Sequence, residues 1–160
     1  MRCLVTILLQ LFIAVSGHCE IEEPSLAGYW VPPGGEAIIN IAPAGQHLRL
    51  TLHAVLVPLD PDSPLASGND SNNPDPDLRG RPLDELPLGQ LEATDGDPTW
   101  RGRLYDPESG REFKVAVRFV DPDVLEVRGH VGLPIFGKTL YWARLSLHQS
   151  RQETLWAEGQ

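Results

Sequence analysis

The residues with the most chemical potential in this chain are carboxylates and arginines crowded into one stretch. Asp60, Asp62, Asp70, Asn72, Asp75 and Asp77 are hard oxygen donors of the kind calcium takes. Their spacing is not the alternating order of a helix–loop–helix calcium site, and Pro74 and Pro76 stiffen the backbone, so no metal is assigned. Asp70 and Asn73 read instead as turn formers whose side chains bond their own backbone. Arg79, Arg81, Arg101, Arg103 and Arg128 are the basic residues in or near the same stretch. Ion pairs with neighbouring Asp and Glu are their expected use; the sharper alternative is an anionic ligand held at a barrel mouth. His47, His53, His130 and His148 have no metal-binding spacing, since His47 and His53 lie about 20 Å apart along one strand face. A Gly-x-Ser-x-Gly turn, a Cys-x-x-Cys pair, a phosphate loop and a dinucleotide fingerprint are all missing from the sequence. No catalytic residue and no cofactor is assigned, and the chain reads as a non-enzyme.

The elements that would position these groups are strands. Gln46–Val57 alternates strictly, with Leu48, Leu50, Leu52, Ala54 and Leu56 on one face and His47, Arg49, Thr51 and His53 on the other. That is the pattern of a half-buried antiparallel strand. Leu26–Val31, Glu36–Ile41, Leu88–Ala93, Thr99–Tyr105, Arg111–Val120, Val124–Val131 and Lys138–Leu147 read as further strands. Turn residues separate them, at Pro32–Gly35, Ala42–Gly45, Thr94–Pro98, Asp106–Gly110 and Asp121–Asp123. One connection is long: Pro58–Pro87 holds seven prolines, too many for a strand or helix. Its first half, to about Asn69, is expected to be mobile and its second half to lie on the domain. No helix is required, so about eight sequential strands predict an up-and-down barrel, whose closure removes exposed edges. In such a barrel the first and last strands pair. Trp30 then lies beneath Arg144, a stacking that seals one end and is structural in either case.

Length and charge bound the rest. The chain has 160 residues and suits a single domain, placed here at 26–148, with a polar tail at 149–160. Met1-Arg2, the apolar run Leu4–Val15 and the small residues Val15-Ser16-Gly17 follow the order of an export signal. Cleavage is expected after Gly17, with Cys19 as second choice, leaving no internal disulfide. The formal charge of −9, without a basic stripe, argues against nucleic acid and against an anionic membrane surface. No later segment is long and apolar enough to span a bilayer.

Four ordered motifs then resemble a bacterial family of small exported proteins catalogued as a domain of unknown function. They are Asp70-x-Asn72-Asn73-Pro74-Asp75-Pro76-x-Leu78-Arg79-x-Arg81-Pro82-Leu83; Trp100-x-Gly102-x-Leu104-Tyr105-Asp106-Pro107-x-x-Gly110; Leu125-x-Val127-Arg128-Gly129-x-Val131-Gly132; and Trp142-x-Arg144. The resemblance implies a lipocalin-like (calycin) barrel, which Gly28-x-Trp30 and Arg144 suit. It departs at Gly45–Arg49, where members often carry cysteines, at Asp84-Glu85-Leu86, and at Arg101. It supplies no catalytic residues to carry over.

The expected function is an exported barrel, periplasmic or secreted, that binds a small hydrophobic or amphipathic ligand. Leu50, Leu52, Phe113, Val115, Val117 and Leu125 are the expected lining, with Asn69–Leu83 and Leu133–Phe136 near the mouth. An interior filled by large side chains is the alternative. The protein would then act on an envelope partner through the apolar Leu133-Pro134-Ile135-Phe136 loop. A hydrolase using Asp and Glu as acid and base on envelope material is a third reading.

Overall fold

Alternation becomes a closed wall in the computed structural model, which describes residues 25–56 and 62–146. The expected leader, Cys3, Cys19, Asp60 and the tail lie outside the described residues. Eight antiparallel strands follow one another around the barrel: β1 (Gly28–Val31), β2 (Ala37–Ala44), β3 (His47–Val55), β4 (Leu86–Thr94), β5 (Asp97–Asp106), β6 (Arg111–Asp121), β7 (Val124–His130) and β8 (Lys138–Arg144). β1 pairs with β8 through Trp30↔Arg144 and Val31↔Ala143, so the wall closes on itself. This is the all-β, eight-stranded up-and-down barrel that the sequence predicts.

Several boundaries move, each for a local reason. β2 continues through Ala42–Ala44, where a turn was expected, because Gly45 takes a φ of 71° and lets a two-residue turn join Ala44 to His47. The next hairpin does the same: Asp97 pairs with Thr94 across Asp95-Gly96, so β5 starts earlier than Thr99. β4 likewise begins at Leu86 and runs through Pro87, which was expected to belong to the loop. The β3–β4 register slips between Leu50 and Thr51, opposite Pro87. A proline has no N–H to give the ladder, and an irregularity accommodates it. The extra residue is Leu88 on β4, so the alternation of β3 is kept: Thr51 pairs with the exposed Pro87, between the inward Leu50 and Leu52, and is nevertheless buried. β3 ends at Val55, and Leu56 is exposed. β5 keeps close company with β4: a Cβ on Gly102 would lie 1.9 Å from the Gln90 carbonyl oxygen. Only glycine fits there.

The core divides along the barrel axis. At the end carrying the Pro122–Asp123 turn, Trp30, Ile41, Leu50, Leu91, Val117 and Leu125 are almost fully buried. Trp30 donates its indole N–H to the Leu26 carbonyl at 2.9 Å, and its ring meets Phe119 at 6.3 Å between centroids. Arg144 lies over the same ring, its Cζ 4.2 Å from the centroid. Its guanidinium also donates to the carbonyls of Ser25 at 2.8 Å, Ala27 at 3.3 Å and Pro122 at 3.2 Å, and pairs with Asp123 at 3.2 Å. One cation thus ties the chain's entry segment, its last strand and the β6–β7 turn over the buried tryptophan. That end is solid and sealed.

Candidate functional site

The opposite end is hollow. A cavity of about 460 Å³ opens there. Inward positions of six strands supply much of its apolar wall: Ile39, Leu52, Leu104, Phe113, Val115, Val127, Leu140 and Trp142. Leu88 and Leu65 complete the wall, the latter from outside the barrel strands. The charged groups among its lining residues are Glu36, Asp106, Glu108 and Lys138. Trp142 adds a polar feature, because its Nε1 is buried and has no hydrogen-bond partner among the described residues. A buried donor left unpaired costs about 1–3 kcal/mol.

Leu52, Phe113 and Val115 sit in the wall of this cavity. Leu50, Val117 and Leu125 lie deeper, packed toward the sealed end around Trp30. Trp30 packs into that half among these side chains, whereas Trp142 stands in the wall of the other half and leaves the cavity open. Ile39, Leu104, Val127, Leu140 and Trp142 were legible as inward-facing from alternation; which end was open was not. Leu65 carried no sequence signal at all.

Leu65 reaches the cavity on a strap formed by the long β3–β4 connection. The strap has two short 3-10 turns, Pro64–Ser67 capped by Ser63 and Pro76–Leu78 capped by Asp75. It folds back on itself through the bridge Asn69↔Pro82, with Asp70 N–H donating to the Arg81 carbonyl and Leu83 N–H to that of Gly68, both at 3.0 Å. Leu83, at 2% exposure, is its apolar anchor.

What fastens the strap to the barrel is a carboxylate. Asp70 is fully buried; its carbonyl does close a turn with the Asn73 amide, but its side chain, expected to bond its own backbone, reaches other side chains instead. Its Oδ1 accepts from the Tyr105 hydroxyl at 2.6 Å. Its Oδ2 accepts from Asn73 Nδ2 at 2.6 Å and from Arg81 Nε at 2.9 Å, and Arg81 Nη2 lies 2.8 Å away. Asn73 in turn accepts from the Asp75 amide at 2.9 Å, and its carbonyl takes Arg79 Nε at 2.8 Å. Asn72 donates to the Glu108 carbonyl at 2.6 Å. Gly110 makes that docking fit: it has a φ of +65°, and a Cβ there would lie 2.0 Å from the Asn72 carbonyl oxygen. Asp106 shapes the same turn by accepting from the Glu108 amide and the Ser109 hydroxyl, and Pro107 follows it in the cavity rim.

Two of the sequence motifs, whose bonded residues stand 35 and 36 positions apart, are therefore one latch. Burial, reinforced by the neighbouring Asp70 carboxylate, pushes the Tyr105 phenol up to about 12. With its oxygens engaged by these donors, Asp70 has little left to act as a base toward a substrate. Pro74 and Asp75 lie exposed on the strap, while a Cβ on Gly129 would come into ordinary contact with Phe113, at 3.7 Å, and Trp100 stands opposite Val117 in the wall.

The arginines divide as ion pairs and local bonds. Arg81 serves Asp70, Arg101 pairs with Asp97 at 3.3 Å, and Arg103 with Glu112 at 2.7 Å. Arg128 donates to Thr139 Oγ1 at 3.1 Å and the Pro134 carbonyl at 3.0 Å. None of the five lines the cavity, so the anionic ligand held by arginines at the mouth is not supported. Among the described residues no cluster of His, Cys, Asp and Glu could hold a metal ion. No described helix is long and apolar enough to cross a membrane.

Comparison with known proteins places this geometry. The family described as uncharacterized protein conserved in bacteria (DUF2147) matches residues 28–144. Among solved structures, the chain resembles protein HP1028 from the human pathogen Helicobacter pylori, described as belonging to the lipocalin family. The two share 18% sequence identity and a TM-score of 0.66, over 81% of this chain and 89% of that one. No curated protein matches the sequence. At that identity the likeness shows the fold, which is lipocalin-like.

Proposed function

This chain belongs to the DUF2147 family of uncharacterized bacterial proteins and has a lipocalin-like barrel, and from that premise we propose that it is a non-enzymatic binder of a small hydrophobic or amphipathic molecule. The observation that carries this reading is the cavity of about 460 Å³ with its mostly aliphatic and aromatic wall. Ligand sites of roughly 300–1,000 Å³ bury most of a small ligand against apolar walls with a few polar groups. The apolar body would lie against Leu52, Val115, Leu140 and Trp142. Three carboxylates face one ammonium at the rim, which suits a neutral or cationic head better than an anionic one. We place the protein outside the cytoplasm, in the periplasm or the medium, on the residue order of its first 17 positions.

Native mass spectrometry of the protein purified from its own compartment tests the reading, together with titration by N-phenyl-1-naphthylamine, a neutral apolar fluorophore. A co-purifying mass displaced by the dye, and dye binding lost in Val115→Trp with the fold retained, is the expected result. A bare apo mass with no dye fluorescence would sink it.

A further inference from the structure

The net charge of −9 conceals a local pattern on the outer wall. Cross-strand pairing sets Arg101 beside Ala116 and Arg128 in one outward row, and Arg103 beside Lys114 and His130 in the next. These five basic side chains line an open groove of about 550 Å³, and Glu92 is the acid among its lining residues. Arg101 and Arg103 are each paired with a carboxylate at the groove's margin. Arg128 meets neutral oxygens instead, those of Thr139 and Pro134, and Lys114 is exposed.

Pro134 also lines the groove, and it brings the β7–β8 loop with it. This loop is a 3-10 turn, Pro134–Phe136, held by the Phe136 amide on the Leu133 carbonyl at 3.2 Å and drawn against β7 by Arg128. Leu133, Ile135 and Phe136 are 65, 79 and 80% exposed. Three neighbouring large apolar side chains on a fastened turn have nowhere to hide from water.

We propose that this loop and the basic wall beside it dock the barrel on an anionic phospholipid surface. Leu133, Ile135 and Phe136 enter the interfacial layer, and Lys114 and Arg128 meet phosphates of the head groups. Interfacial anchoring requires this pair of features, buried apolar area and attraction to anionic lipid. The acidic remainder of the protein does not oppose it. The Debye length is about 8 Å at physiological ionic strength, so charges farther round the barrel are screened. A protein partner is the weaker claimant, because a stable protein interface buries about 800 Å² on each side and this tip offers three side chains. A bilayer asks for no matching surface. Gly129 and Lys138, at the strand ends that flank the loop, line the cavity, so docking would hold the open end of the barrel near the lipid.

Flotation with vesicles tests this on the full mature chain. The vesicles are phosphatidylcholine with about one-third phosphatidylglycerol, against phosphatidylcholine alone. Binding is expected to the anionic vesicles and to fade with added salt. It should fall about tenfold or more in Ile135→Ser/Phe136→Ser and roughly fivefold in Lys114→Gln. All three positions are exposed, so the variants should fold, which circular dichroism checks. Failure of the parent protein to float with anionic vesicles overturns the proposal, as does equal flotation of Ile135→Ser/Phe136→Ser. A soluble dimer dispersed by that same double substitution would assign the patch to a second copy of the chain and overturn it too.

Discussion

Replacing Asp70 by Asn preserves shape and removes one charge, and it asks whether the strap is held electrostatically. The parent carboxylate is fully buried and takes hydrogen bonds from Tyr105, Asn73 and Arg81. An amide retains one acceptor oxygen and presents N–H groups where Asn73 and Arg81 already donate. Breaking one side of a buried ion pair costs about 3–5 kcal/mol. The Arg81 side chain is 34% exposed and can recover water, which lowers the cost to about 2–3 kcal/mol. The strap joins the barrel at few points, chiefly this network and the Asn72 bond to Glu108. The loss should therefore appear as local opening before global unfolding. Native-state hydrogen exchange reads it at the amides of Asp70, Asn73 and Leu83, each bonded within the strap. Their protection should drop roughly 30- to 150-fold at about 1.4 kcal/mol per decade. Amides of β6 should keep theirs, and limited proteolysis should cut between Ser63 and Leu83. Unchanged exchange in the strap would refute the latch. A uniform loss across the barrel would refute its local character.

Other outcomes follow from the same geometry. Gly110→Ala should destabilise by about 1–3 kcal/mol and free the strap, through its positive φ and the Asn72 carbonyl, whereas Gly80→Ala, with nothing within 4 Å of its Cβ, should be neutral in denaturant melts. Tyr105, with its folded value raised to about 12, adds stability that is complete below the unfolded value near 10 and lost as pH climbs through 12. Alkaline unfolding followed with and without Tyr105→Phe should show that difference vanish in the variant. Arg144→Gln should cost about 2 kcal/mol by thermal denaturation, from the lost stacking on Trp30 and the carbonyls left without their donor. It should leave dye binding unchanged, because the sealed end is not the hollow one. Trp142→Phe removes a buried donor that has no partner among the described residues, so its stability change should stay within about 1 kcal/mol as relief and lost packing offset. A ligand that uses the indole N–H would show weaker binding to this variant by calorimetry.

The strands were legible because side chains on a β-strand alternate, and Phe113, Val115 and Val117 or Leu48, Leu50 and Leu52 could face inward only one way. β4 departed from that logic, since a register slip leaves Leu88 as an extra residue and shifts the buried set from Leu86 and Leu88 to Leu91. The pairing of Trp30 with Arg144 followed from closure alone. The latch was harder to see. Asp70 and Tyr105 stand 35 residues apart and meet only because the strap folds back over the β5–β6 turn. Read locally, Asp70 offers a turn; read in space, it is the fastening of the whole connection. The arginines were likewise readable as paired ions, but not which of them would share a groove.

Period-two patterning, turn residues and a tryptophan near the start with an arginine near the end were enough to specify a closed antiparallel barrel. Those signals act between neighbours in the chain or around a single closure. Where the barrel is hollow, what clamps its strap and where its cations gather depend on side chains brought together from distant strands, Trp30 filling one half and leaving Trp142 beside an empty one. Contacts of that kind exist only after the wall has closed, and so the tertiary structure alone decided them.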